Sequence, residues 1–320
     1  MPVFEVFEDE ADLDEIYIRL KDQDAMVRRI AVLDLAETAE ASSVTALIDC
    51  LSDGSADVRL EAARSLESYD LPEAAANLAK ALVDDNEEVC KAAAYSLAEF
   101  KNPACAIPLI EFVDHRDAFV RASVLHAMKE LRNSAVLESA LTALTDQAAK
   151  VRMEAVGVLG YLKDTSTLPA LMHASRDGDP KVRRSALGAL AFCEEDLVVG
   201  ALLEGLDDEE WSVREIAAET LGRIRAASAA DALVAALKDS FWQVRVKAAR
   251  SIGQLKAETA IHALAPSLEH KISNLRKEAA AALGEIAHPD GLPYLVDVED
   301  DPDPDVRKNI RWAIDQIQAA

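Results

Sequence analysis

The chain is short of positive charge. Its 34 lysines and arginines stand against 58 aspartates and glutamates, a formal net charge of −24 over 320 residues. Binding nucleic acid through phosphates needs a basic footprint, so that class is excluded, and so is docking on an anionic membrane surface. The same imbalance fits a protein or peptide partner that is basic or neutral, with a salt-tolerant acidic surface as the alternative. Cysteine is sparse. Cys50, Cys90, Cys105 and Cys193 show no paired spacing, which reads as reduced thiols filling helix interfaces of a cytoplasmic protein. No apolar run approaches the roughly 20 residues of a membrane span. The opening Met1-Pro2-Val3-Phe4-Glu5-Val6-Phe7-Glu8 lacks a basic stretch ahead of an apolar core and is not a signal peptide. There is no Gly-rich phosphate loop, nucleophile elbow or zinc-ligand spacing. The six histidines include no i, i+4 pair on one helix, which argues against a metal site, and no cofactor is expected. Aromatics make up only 5% of the residues, and the abundant alanine suits closely packed helices.

What the chain does have is a beat. Val-Arg recurs at Val27-Arg28, Val58-Arg59, Val120-Arg121, Val151-Arg152, Val182-Arg183, Val213-Arg214, Val244-Arg245 and Val306-Arg307, and Val89-Cys90 and Leu275-Arg276 fill the gaps in the 31-residue step. A period of roughly 20–50 residues signals a solenoid. Counting from each valine, apolar or small residues fall at 0, +4, +8 and +11 (Val120, Val124, Met128 and Leu131, for instance), one stripe of an α-helix, here helix B. An earlier apolar pattern, helix A, ends seven residues before the beat, at Leu20, Leu51, Leu82 and their equivalents. A gap of about five residues forces an antiparallel hairpin. N-caps stand at −3 in Asp24, Ser55, Asn86, Asp117, Asp179 and Asp303, followed in two repeats by Pro180 and Pro304 at the first helical position. Pro108, Pro169 and Pro293 fall early in helix A. No strand pattern competes. The expectation is an all-α protein, a right-handed α–α superhelix of about ten helical hairpins in one body over residues 1–320, on the order of 90–100 Å along its arc. Residues 1–15 would form an acidic N-terminal cap and residues 297–320 a C-terminal capping repeat.

These residues resemble HEAT repeats, in particular the short HEAT-like type of phycobilisome lyase subunits. The mark is an Asp followed six residues later by Arg: Asp22/Arg28, Asp53/Arg59, Asp146/Arg152, Asp177/Arg183, Asp208/Arg214, Asp239/Arg245 and Asp301/Arg307. The resemblance implies a ladder in which each Asp binds turn amides and the Arg of an adjacent repeat. Turn amides want an acceptor, and the planar guanidinium matches a carboxylate. The departures Asp84/Cys90, His115/Arg121 and His270/Arg276 predict weaker stacking at repeats three, four and nine. Among enzymes of similar fold, deoxyhypusine hydroxylase holds di-iron through His-Glu pairs early in helix B. The corresponding pairs here, Leu60-Glu61, Met153-Glu154 and Lys277-Glu278, lack the histidine, and the charge is wrong for a HEAT-like DNA glycosylase.

The resemblance puts helix B on the concave face, and the rows opposite the stripe, +2, +6 and +10, become the place to look. They carry several bases, Arg184 among them, and in repeats three to six they set Tyr95, His126, Met153, Tyr161 and Phe192 beside Gly157 and Gly188. Large groups beside gaps without side chains suggest a shallow pocket for a partner's side chains, against the alternative that the aromatics pack only on neighbouring helices. A second candidate is an edge ridge of Trp211, Phe241 and Trp242 at the A–B turns. The leading reading is a monomeric, non-catalytic interaction scaffold, adaptor or assembly factor. The alternative is a lyase-type subunit handling a tetrapyrrole in the groove around Tyr95, His126 and Tyr161. A repeat array with no natural ligand is a third reading, disfavoured by the differences among the repeats.

Overall fold

The B helices form where the stripe can be buried. In the second repeat Val58, Ala62 and Leu66 are fully buried, and Val182, Ala186 and Leu190 repeat the pattern in the sixth. The computed structural model describes residues 13–38 and 43–320; most of the expected acidic cap, residues 1–12, lies outside them. The described residues contain helices and no strands.

They group into two compact units, Met1–Leu162 and Lys163–Ala320. The first unit holds repeats one to five, each an A helix followed by a B helix: Leu13–Arg19 with Ala25–Glu37, Ser43–Cys50 with Ala56–Ser65, Pro72–Ala81 with Glu87–Glu99, Pro103–Phe112 with Ala118–Leu131, and Leu137–Ala143 with Ala149–Leu162. The second unit holds repeats six to ten: Leu168–Ala174 with Pro180–Ala189, Glu195–Leu206 with Trp211–Arg223, Ala230–Ala236 with Trp242–Leu255, Ile261–Leu268 with Ser273–Ile286, and Leu292–Val296 with Pro304–Ala319.

The side chains of Asp24, Asn86, Asp117, Asp179 and Asp303 each accept a backbone N–H two residues on, capping their B helices. Ser55 makes no such bond. Glu210, which the −3 row did not single out, caps the seventh. The fourth A helix, Pro103–Phe112, is a 3-10 helix throughout. Pro108 lies inside it, removing an amide donor and crowding the preceding turn, and the chain answers with the tighter helix.

Two devices tie repeats together. The first is the rung. Arg28 donates to both carboxylate oxygens of Asp53 at 2.7 and 2.8 Å and also to its own turn's Asp22 carbonyl at 2.8 Å. Asp53 in turn accepts the Ser55 amide. The same bidentate bond, always 25 residues apart, joins Arg59 to Asp84, Arg121 to Asp146, Arg183 to Asp208, Arg214 to Asp239 and Arg276 to Asp301. Hydrogen bonding by the partner arginine, against the opposing effect of burial, holds the Asp53, Asp146 and Asp301 carboxyls below the usual range. The third, fourth and ninth repeats each lose a rung on one side, as expected, while Asp84, Arg121 and Arg276 keep the rung on the other. A rung spans a junction, so the departures fall at two junctions, three/four and eight/nine.

The second device is a glycine at +9. A Cβ on Gly253 would stand 2.8 Å from the Ala282 Cα, and one on Gly284 would stand 2.8 Å from the Ala313 Cα. At these places the next B helix comes into backbone contact, which no side chain would allow.

Candidate interaction groove at the third and fourth repeats

Between the third and fourth repeats both devices are missing. Cys90 replaces the rung arginine, and its Sγ turns back to the Asp84 carbonyl at 3.2 Å. His115 replaces the aspartate, and its Nδ1 accepts the Asp117 amide at 3.2 Å, keeping the turn function alone. Ala98 stands where Gly253 and Gly284 stand in their repeats. On the exposed side of the B helices at this junction lies a groove of about 390 Å³.

Its floor is made of small residues, Ala94 and Ala98 from Glu87–Glu99 and Ala118 and Ala122 from Ala118–Leu131. Tyr95 and Phe119 also line it, 74% and 42% exposed. Large apolar groups held in water over an alanine floor are the arrangement that accepts a partner's apolar side chain. One end is polar. His126 Nδ1 lies 3.0 Å from Glu154 Oε2, and Lys150 Nζ lies 2.5 Å from Glu154 Oε1. Burial pushes the Glu154 pKa up, but His126 and Lys150 outweigh it and hold the carboxyl below its usual range. The ionised Glu154 therefore takes the Nδ1–H of His126, which fixes the ring's orientation. At the other end Lys91 is paired with Glu87 at 2.8 Å and Glu88 at 3.0 Å on its own helix.

Of the residues read from the sequence, Tyr95 and His126 meet in this groove. Met153 is half-buried and does not line it. Tyr161 is covered by cations, with Lys129 Nζ 5.7 Å and Arg132 Cζ 5.4 Å from its ring centre, and the Glu130 carboxylate hydrogen-bonded to its hydroxyl raises the phenol pKa. The gap expected at Gly157 is filled, since a Cβ there would meet the Lys129 stem at 3.0 Å. In the second unit the gap at Gly188 is bordered by Ile216, 3.4 Å from where a Cβ would be. Phe192 is half-buried at the end of a 3-10 turn, and Arg184 lies 3.8 Å from Glu215. Some of the bases in the inner rows are paired across repeats, as Arg29 meets Glu61 at 3.1 Å and Arg250 meets Glu278 at 2.5 Å.

Reading rows +2, +6 and +10 missed Phe119 and Lys150 at −1 and Glu154 at +3. The signal was available: Glu61, Glu154 and Glu278 share the +3 row, each one repeat beyond a base. The edge ridge is present in altered form. Trp211 stacks on Phe241 with ring centres 5.6 Å apart and planes 15° apart, Arg214 Cζ lies 5.7 Å from the Phe241 ring, and Trp242 is half-buried beside them in sequence.

Among the described residues no three His, Cys, Asp or Glu converge as a metal-binding group. Burial pushes the Cys50 thiol up to about 11 and the Cys105 thiol up to about 12, far from a reactive thiolate at neutral pH.

The family profile for HEAT repeats matches residues 13–98, 79–148, 137–222, 176–240, 197–272 and 230–315. This chain belongs to the HEAT-repeat family. The match does not single out the phycobilisome-lyase type. No curated protein sequence matches this HEAT chain. Among solved structures it is similar to Kap95p, whose binding induces the switch loops of RanGDP to adopt the GTP-bound conformation, at 13% identity and a TM-score of 0.58, covering 96% of this chain and 49% of that one. It is also similar to an engineered protein (22% identity, TM-score 0.51, 96% and 99% covered) and to YibA of E. coli (20%, 0.51, 94% and 100%). At these identities the likeness establishes an α-solenoid and nothing finer. Extended binding surfaces for other proteins are the common use of such solenoids. No helix among the described residues is long and apolar enough to cross a membrane.

Proposed function

We propose that this HEAT-repeat protein is a non-catalytic interaction module that takes an apolar side chain of a protein or peptide partner into the groove between its third and fourth B helices. The observation that carries the reading is Tyr95 and Phe119 standing exposed over an alanine floor where both junction devices are missing. The partner is basic or neutral, because the net charge of −24 repels an acidic one. Four free thiols fit a reducing compartment, and we read the protein as a cytoplasmic monomer. A tetrapyrrole has less to recommend it, since the two lysines that line the groove are already ion-paired and would have to be freed to meet its acid groups.

The test is to capture the partner from native lysate, purify it, and titrate it against wild type, Tyr95→Ala and Phe119→Ala. Each substitution should weaken binding at least about tenfold, as truncating a central aromatic contact does, with unchanged thermal stability. Unchanged affinity in both variants would move the site away from the groove, and Phe241→Ala would then be titrated. Titration with a linear tetrapyrrole should leave the pigment's absorbance unchanged.

A further inference from the structure

The groove beside Tyr95 and Phe119 is apolar over its alanine floor and polar at one end, and the polar end is nearly used up. The Glu154 carboxylate is 5% exposed and is held from both sides, by His126 Nδ1 at one oxygen and Lys150 Nζ at the other. It has little left to offer a guest. His126 differs. Its side chain is 46% exposed and lines the groove, and its second nitrogen, Nε2, has no hydrogen-bond partner among the described residues. Lys150 already supplies the positive charge that the carboxylate needs, so a neutral imidazole suffices beside it. A neutral imidazole that donates through Nδ1 keeps an acceptor lone pair on Nε2. The groove thus presents one fixed acceptor at the edge of an apolar surface.

Charge narrows the kind of donor that fits. The ammonium groups of Lys91 and Lys150 line the groove, and the one carboxylate that lines it is Glu154, already paired. A partner's lysine or arginine would meet like charge without a free counter-charge. A neutral donor on an aromatic body avoids this. Ammonium groups attract the face of an aromatic ring, that of tryptophan most strongly, and Tyr95 and Phe119 offer rings to pack against. Indole combines a large flat body with one N–H donor and no acceptor that burial would leave unsatisfied.

We propose that the partner's anchor in this groove is a tryptophan, packed over the alanine floor with its indole N–H donated to Nε2 of His126. The inference rests on the groove being the docking site and adds the side chain that the groove selects. Glu154 fixes the tautomer of His126, and His126 reads the donor. A phenylalanine in the same place would fill the floor and leave the acceptor unpaired.

The test uses the full chain at pH 8, where a histidine ring is neutral, and two probes. One is N-acetyl-tryptophan amide; the other is its 1-methylindole analogue, which keeps the ring and loses only the donor. Wild type should bind the first about three- to tenfold more tightly, the range of one neutral hydrogen bond, and the His126 Hε1 resonance should move as it saturates. His126→Phe should bind both probes equally, and Tyr95→Ala should weaken both by the same factor. The comparison of probes is made on wild type, so it stands whether or not a variant folds. Equal affinity of wild type for the two probes would overturn the inference and leave the groove as a site for an apolar group without a donor. Binding of neither probe would overturn this inference and the groove reading together. Tighter binding of N-acetyl-tyrosine amide than of the tryptophan probe would overturn the choice of tryptophan.

Discussion

The third-to-fourth and eighth-to-ninth junctions have lost the same rung and fare differently. At eight/nine, Arg245 faces His270 instead of an aspartate, with its Nη1 3.3 Å from the imidazole Nε2, and its Nε is buried without a partner. Yet Gly253 still lets the Ala282 backbone come into contact, and the B helices stay close. At three/four the arginine and the aspartate are both replaced, no glycine stands at +9, the A helix is 3-10, and a groove lies between the B helices. Losing a rung is thus tolerated when the glycine contact remains; losing both leaves space. A repeat protein can make a site by omitting the parts that would otherwise close it, and breaks in local rules are where function is expected.

Breaking an intact junction should have the largest effect. Arg214→Ala leaves Asp239 part-buried without its bidentate donor and should cost about 2–3 kcal/mol, measured by urea unfolding. Cys90→Ala, at the same place in the third repeat, should cost under about 1 kcal/mol, since it removes only a weak thiol contact. Equal losses would show that the rung does not distinguish the two junctions.

Repairing the open junction sharpens the comparison. Cys90→Arg/His115→Asp should install the missing rung, raise stability by about 1 kcal/mol, and slow hydrogen exchange across Glu87–Glu99. If stability falls instead, the groove and the rung are incompatible in a way the present geometry does not show.

At eight/nine the expected effect depends on pH. His270 Nδ1 accepts the Ile272 amide while Nε2 faces Arg245, and a neutral imidazole has only one lone pair for two donors. Burial, reinforced by Arg245, lowers the His270 pKa below the ordinary 6.5. The native state therefore binds that proton less readily than the unfolded chain. The stability involved is fully present above about pH 6.5 and declines as pH falls below it. The rung aspartates, whose folded pKa values are depressed, keep their contribution until pH falls below about 4. His270→Asp should raise stability by about 1 kcal/mol at pH 7 and abolish the upper acid decline, leaving the lower one. Stability curves from pH 7 to 3 for both proteins check this.

Much of the fold was legible because the beat repeats. A valine stripe, a cap at −3 and an Asp–Arg pair six apart need no tertiary information, and ten copies outweigh local noise. What stayed hidden depends on neighbours. Gly157 reads as a gap until Lys129 is seen lying across it, and Pro108 reads as an early helix residue until the whole segment turns out to be 3-10. Tyr95 and His126 were visible as candidates; Phe119 and Glu154 were not, because they sit in rows that a count of helical angle assigns to the flank. The sequence showed where the pattern lapsed, at Cys90 and His115, without showing that an opening would form on the far side of the same helices.

Each rung arginine holds its own turn and the next, so the turns of the first unit form a series of coils with one clasp missing, between Cys90 and His115. Tension along such a series stretches the softest coil first. In the first five repeats that coil is the one between Cys90 and His115, and a pull on this unit is felt at the groove as a change of width before any other junction lengthens.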